Sequence, residues 1–185
     1  MDTHNMYLFK ALDAYPYSLE ETMESLNYAL SYDPENAEAL LLMGKVRAYQ
    51  LRDYEGAKHY FELAMTQNME MGKLYIDYSY VLILNEDFTE AQRLLDYAIT
   101  VKGTDKGWMQ WLQGQIFEGM FELKRAKKAY KEAIRISKCN NLSAFVKREM
   151  ERVVEKLPKK KNKKKSKKKS KTKRKEKSKN RSKKK

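Results

Sequence analysis

Apolar residues recur at steps of three and four along most of the chain, and the pattern stops at Leu157–Pro158. In 36–51, NAEALLLMGKVRAYQL, Asn36 is placed to cap a helix and Glu38 favours the positive end of its dipole. Leu40, Met43, Ala48 and Leu51 then follow at helical spacing. Arg52-Asp53 makes a short turn, and 54–67 repeats the pattern. No stretch sustains a period of two, so strands are not expected. The spacing predicts an all-α body of nine helices, at about 4–15, 18–31, 36–51, 54–67, 71–84, 88–101, 105–120, 123–137 and 142–156. The connections are short, which favours antiparallel helix pairs.

The helices come in copies. Ala29, Ala64, Ala98 and Ala133 stand 34 or 35 residues apart, and Thr22, Ala57, Ala91 and Ala126 precede them by seven. A bulky group, Leu26, Phe61, Leu95 or Tyr130, lies three residues before each alanine of the first set. Small residues at Gly44, Ser79 and Gly114 keep a spacing of 35, and the turn pairs Asp53-Tyr54, Asp87-Phe88 and Glu122-Leu123 open the second helix of each pair. Small residues let the two helices of a pair approach closely, and the large ones fill the groove to the next helix. These positions specify architecture rather than chemistry.

In these features the chain resembles the tetratricopeptide-repeat family, whose unit is two antiparallel helices in about 34 residues. The resemblance covers residues 3–138. The fourth repeat, WMQWLQGQIFEGMFELKRAKKAYKEAIRI, fits best; the second carries one extra residue between Gly44 and Ala57. Only Pro34, in SYDPENAEA, matches the family's usual proline between repeats. In the first repeat Lys10 stands where a small residue belongs. Residues NLSAFVKREMERVVEKL read as a capping helix with Phe145, Met150, Val153, Val154 and Leu157 on its inner stripe and Asn141 or Ser143 at its start. The resemblance implies an α-solenoid over 1–157, with three to four repeats and the cap.

Such a solenoid curves, and its first helices line the concave side. Residues off the glycine and alanine seam are expected in that groove: Tyr7, Leu41, Lys45, Tyr49, Ile76, Asp77, Tyr80, Trp111 and Gln115. Some members of the family clamp a partner's C-terminal carboxylate with Lys and Asn; here Leu41, Ile76 and Trp111 occupy those places. The aromatic content favours an apolar or amphipathic peptide segment instead. For Tyr49, Tyr80 and Trp111, packing between neighbouring helices is an equal alternative.

Charge divides the chain at the same point as hydropathy. Residues 158–185 hold nineteen basic residues and one acid, Glu176, whereas 1–157 hold twenty basic and twenty-four acidic residues. The formal net charge of +14 is therefore a mildly acidic body joined to a strongly basic tail. The tail has no apolar residue, so it is expected to be disordered. Its cations, Lys159, Lys160, Lys161, Lys163, Lys164, Lys165, Lys167, Lys168, Lys169, Lys171, Lys173, Arg174 and Lys175, are the expected polyanion-binding set. Nucleic acid, anionic lipid, a nuclear-targeting role through KTKRKEK, and contact with the acidic body all fit this composition. The tail has no aromatic to stack on bases and few arginines to read them, so nucleic-acid binding by it would be blind to sequence.

Catalytic chemistry finds no constellation. His59 and Glu62 at i, i+3 are half of a helical metal site, with no second half. Cys139 has no neighbouring base, and one cysteine makes no intrachain disulfide. Neither a phosphate-binding glycine loop nor a dinucleotide fingerprint occurs. The sequence reads as non-enzymatic, with no cofactor and no metal. The start, MDTHNMYLFK, lacks an apolar signal region, and the longest apolar run, Tyr80–Leu84, is far too short to cross a bilayer. The expected address is cytoplasmic, or nuclear or nucleolar in a eukaryote. The expected function is that of an adaptor whose groove takes a protein segment and whose tail holds a polyanion. The alternative is a nucleic-acid-binding accessory protein in which the solenoid is only a scaffold.

Overall fold

A computed structural model describes residues 3–158; the basic segment 159–185, with every lysine and arginine assigned to polyanion binding, lies outside the described residues. The elements are α1 (Thr3–Ala14), α2 (Leu19–Tyr32), α3 (Ala37–Lys45), α4 (Tyr54–Gln67), α5 (Gly72–Leu84), α6 (Phe88–Ala98), α7 (Lys106–Gly119), α8 (Leu123–Ile136) and α9 (Asn140–Lys156). There is no strand among the described residues. Each helix packs on its neighbours in sequence, and first helices of successive pairs also meet, α1 with α3, α5 with α7 and α7 with α9. This is an α-solenoid of four helix pairs closed by α9.

The seam between paired helices is built as the small and large positions require. A Cβ on Gly44 would stand 2.9 Å from Phe61 Cε1, and one on Gly114 would stand 2.2 Å from Tyr130 Cε1. The large residue thus lies over the small one of its own pair. Phe61 also stacks on Tyr78 of the next pair, with centroids 5.5 Å apart. Ala57, Ala91 and Ala126 are fully buried opposite. In the first pair the small position belongs to Ala11, which is 0 % exposed, while Lys10 points to solvent. The expectation at Lys10 fails because the first repeat is out of register by one residue: Ala11 stands eleven residues before Thr22, whereas Ser79 and Gly114 stand twelve before Ala91 and Ala126.

The extra residue of the second repeat is absorbed by a π-helical turn, Val46–Gln50, that continues α3. In the third and fourth repeats the turn closes with Asp87 N–H donating to Leu82 O at 2.8 Å and Glu122 N–H to Phe117 O at 2.7 Å. The equivalent bond runs from Asp53 N–H to Arg47 O at 2.9 Å, one residue further along the chain. Wider winding therefore returns the backbone to the same closing bond. The residues before these donors, Arg52, Glu86 and Phe121, all have φ near +60° (56°, 64° and 58°), a left-handed turn made without glycine.

Local caps follow the sequence in part. Asn36 Oδ1 accepts from Ala39 N–H at 3.0 Å, Asp53 Oδ1 from Gly56 N–H at 2.9 Å, and Asp105 Oδ1 from Gly107 N–H at 2.7 Å. At α9 the expected caps do not form: the helix begins at Asn140, so Asn141 and Ser143 lie within it. Its buried stripe is Leu142, Val146 and Val153, with Phe145 and Met150 partly covered, whereas Val154 is exposed.

Candidate functional site

The first helices present a line of rings. Tyr49 at the end of the π-helical turn, Tyr80 on α5, Trp111 on α7 and Phe145 on α9 follow one another with centroid separations of 6.4, 5.4 and 5.6 Å. Trp108 meets Trp111 edge-on at 5.3 Å. The first two steps are each 31 residues, one helical turn less than the repeat, so the ladder crosses the helices obliquely. At its N-terminal end Asp77 accepts from Tyr49 Oη at 3.1 Å and pairs with Lys45 Nζ at 3.4 Å. The Lys45 ammonium lies 5.9 Å from the ring centroid of Tyr15. At the other end Gln115 Nε2 donates to Glu149 at 3.1 Å. Burial, reinforced by Asp77, pushes the Tyr49 hydroxyl well above its ordinary range; burial and Glu149 raise that of Tyr80. Both hydroxyls are therefore protonated hydrogen-bond donors at neutral pH.

The residues expected in the groove divide into three groups. Lys45, Tyr49, Asp77, Tyr80 and Gln115 come together along the ladder or at its ends, and Ile76 is half-buried beside it. Leu41 is in the core at 4 % exposure. Trp111 is 5 % exposed, so most of its indole packs between α5, α7 and α9; its Nε1 is buried and has no partner among the described residues. Tyr7 leaves the set: it stacks on Tyr28 and Tyr32 of α2, with centroids 5.1 and 5.9 Å away. Phe145 and Tyr15 were not foreseen in this role: Phe145 was read as part of the inner stripe of the capping helix, and Tyr15 lies just past the end of α1.

Away from the groove, Glu118 is buried at the end of α7. It accepts from Tyr130 Oη at 3.0 Å, Arg152 Nη2 at 3.0 Å and Lys156 Nζ at 2.9 Å, tying α7, α8 and α9 together. Among the described residues no three His, Cys, Asp or Glu are placed to hold a metal ion. His59 is exposed beside Tyr60, and the Cys139 thiol is exposed. No described helix is long and apolar enough to cross a membrane.

Charge is also divided within the body, which a single balance conceals. Residues 1–100 carry seventeen acids and seven bases, whereas 101–157 carry seven acids and thirteen bases. Helix α8 alone has Lys124, Arg125, Lys127, Lys128, Lys131 and Arg135, all exposed, against Glu132.

No protein-family model matches the sequence, and no curated protein matches it. Solved structures do match its fold. One from a study of PilF of Pseudomonas aeruginosa superposes with a TM-score of 0.71 at 19 % identity, over 83 % of this chain and 68 % of that one. TTC0263, described as a thermophilic TPR protein of Thermus thermophilus, gives 0.67 at 13 % identity, over 83 % and 82 %. MamA from Desulfovibrio magneticus RS-1 gives 0.65 at 18 % identity, over 84 % and 91 %. With its repeat seam, its paired helices and these neighbours, the chain has the tetratricopeptide-repeat fold.

Proposed function

We propose that this chain is a non-enzymatic interaction adaptor: the face carrying the Tyr49–Tyr80–Trp111–Phe145 ladder binds an apolar or amphipathic peptide segment, and the basic segment 159–185 binds a polyanion. The observation that supports it most is the ladder itself. Four rings from four successive layers are continuous, edged by Lys45–Asp77 and Gln115–Glu149, and they include an indole N–H with no acceptor among the described residues. An unmet buried donor of this kind costs roughly 1–3 kcal/mol, which an acceptor on a bound segment would offset once the adjacent rings shift. Aromatic anchors of this type are frequent hot spots of binding.

Trp108 and Trp111 are the only tryptophans, so their emission reports the ladder directly. Peptides selected from a random display library against the full chain should change that emission. Tyr49→Ala and Tyr80→Ala should weaken their binding by at least about 30-fold, the equivalent of 2 kcal/mol. Selected peptides that bind both variants as well as the parent would refute the groove. For the tail, nucleic-acid affinity should fall steeply between low and moderate salt and vanish in 1–157. A flat salt profile, or equal binding without the tail, would refute that half.

A further inference from the structure

The second helices of the repeats carry opposite charge at the two ends of the stack. At the N-terminal end α2 exposes Glu20, Glu21 and Glu24 and holds no base. At the other end α8 exposes Lys124, Lys127, Lys128 and Lys131 on one stripe, at steps of three and four. Its two arginines are already engaged, Arg125 with Glu122 and the Phe117 ring, and Arg135 with Glu132. Glu20, Glu21, Glu24, Lys124, Lys127 and Lys131 have no ion pair within 4 Å among the described residues. Like charges three and four residues apart repel, so neither stripe stabilises its own helix.

In the middle of the stack the same positions are satisfied within the chain. Lys58 of α4 reaches forward to the start of α6, where its Nζ lies 2.7 Å from Asp87 and 3.8 Å from Glu90. Lys127 stands at the place of Lys58: it follows Ala126 as Lys58 follows Ala57. Glu21 stands at the place of Glu90: it precedes Thr22 as Glu90 precedes Ala91. Among the described residues, however, α8 is the last second helix and α2 the first. Lys127 therefore has no following helix start to meet, and Glu21 has no preceding lysine. They are the open halves of an ion pair that the repeat makes internally.

We propose that a second copy of this chain docks its α2 against α8, setting Glu20, Glu21 and Glu24 against Lys124, Lys127, Lys128 and Lys131. The contact runs along the second helices, because α9 already occupies the first-helix place beyond α7. One end of a copy meets the opposite end of the next, so the interface is heterologous and either propagates or closes into a ring. Exposed ion pairs are weak one by one. The contact therefore needs several of them together, is reversible, and is screened by salt. A polyanion on α8 is the less favoured occupant, because it would leave the acids of α2 unmatched. Neither the aromatic ladder nor the segment 159–185 contributes a residue to this surface, so the inference stands apart from both.

Sedimentation velocity on the nuclease-treated full chain, over a series of protein concentrations at low and at high salt, tests this. The parent should associate as its concentration rises at low salt and dissociate at high salt. Lys127→Glu with Lys131→Glu, or Glu21→Lys with Glu24→Lys, should each weaken self-association by at least about 10-fold, since each sets like charges face to face. All four residues are exposed, so neither double variant should lower the melting temperature appreciably. An equimolar mixture of the two double variants should associate as the parent does, and so should a chain carrying all four changes, because both restore opposite charges across the contact. A parent that stays monomeric at every concentration and salt would overturn the proposal, as would a mixture that associates no better than its components. Self-association that survives reversal of Lys127 and Lys131 but not of Glu21 and Glu24 would assign the acidic face to the segment 159–185 instead, and would overturn it too.

Discussion

Alanine at Gly114 tests the seam more sharply than any change at the surface. The added Cβ would lie 2.2, 2.3 and 3.0 Å from three atoms of the Tyr130 ring, and ordinary contact begins near 3.4 Å. The ring would therefore have to move by about 1.2 Å at its nearest atom. It has little freedom to do so: Tyr130 is fully buried, and its hydroxyl donates to Glu118, which Arg152 and Lys156 also hold. Overpacking of this kind costs roughly 1–3 kcal/mol, and so close an approach belongs at the upper end. Alanine regains about 1 kcal/mol as the better helix former. The net expectation is about 2 kcal/mol of destabilisation, or roughly 4–8 °C in melting temperature for a chain of this size. Gly44→Ala is the control, because its Cβ would meet Phe61 at 2.9 Å and a shift of a few tenths of an ångström relieves it. Its net effect should lie within about 1 kcal/mol of zero. Thermal melts followed by circular dichroism on the full chain measure both. A Gly114→Ala protein as stable as its parent, or one whose loss persists undiminished in a Tyr130→Leu background, would show that the ring does not set the seam.

Glu86→Gly should raise stability by roughly 0.5–1 kcal/mol, since glycine accepts φ of 64° without the Cβ penalty and its extra unfolded-state entropy offsets only part of the gain; a chemical melt decides it. Asp87 is held below the ordinary carboxyl range, first by the Lys58 ammonium at 2.7 Å and then by the Asn85 amide. A carboxyl depressed by folding contributes its full stabilisation above the unfolded value of 3.8 and loses it as pH falls below that through the folded value. Asp87→Asn should therefore flatten the acid limb of a melting-temperature profile below about pH 4 and lower the plateau above it. Glu118→Gln keeps the shape of the side chain and removes its charge; with Arg152 and Lys156 each about half exposed, a loss of about 1–2 kcal/mol is expected. Hydrogen exchange should place that loss in α9, and unchanged protection there would refute the role given to Glu118.

The repeat was legible because its seam depends on residue size alone, and size is written in the sequence. Gly44 and Gly114 face Phe61 and Tyr130, and Ser79 and Leu95 hold the same places in the third repeat, so a spacing of 34 or 35 finds both helices of each pair. Helix ends were less legible. The extra residue before Ala57 was visible, but whether it would lengthen a loop or widen a helix depended on closing Asp53 N–H onto Arg47 O, a choice made by backbone hydrogen bonding. The seam of the first repeat was misplaced by one position: the spacing of twelve from the small residue to the second helix, seen at Ser79–Ala91 and Gly114–Ala126, is eleven at Ala11–Thr22. The left-handed residues Arg52, Glu86 and Phe121 carry no glycine to announce them.

The candidate site was harder to read, and the reason is geometric. Core positions repeat every 34 or 35 residues because each pair packs on its own partner in the same way. A surface that crosses the stack meets each new first helix one turn earlier, so its period is 31 in the steps from Tyr49 to Tyr80 and from Tyr80 to Trp111. Residues chosen in the core register therefore mix the two surfaces: Leu41, Ile76 and Trp111 are spaced by 35, and two of the three are buried. Searching at the repeat length minus one turn finds the aromatic line. It also explains why Tyr7, four residues before the core position of α1, falls out of that line and onto α2. The last step, from Trp111 to Phe145, is 34 residues rather than 31. At the capping helix the ladder therefore stops crossing the helices obliquely and takes the spacing of the core positions, with Phe145 standing beside the buried Leu142 and Val146 of α9.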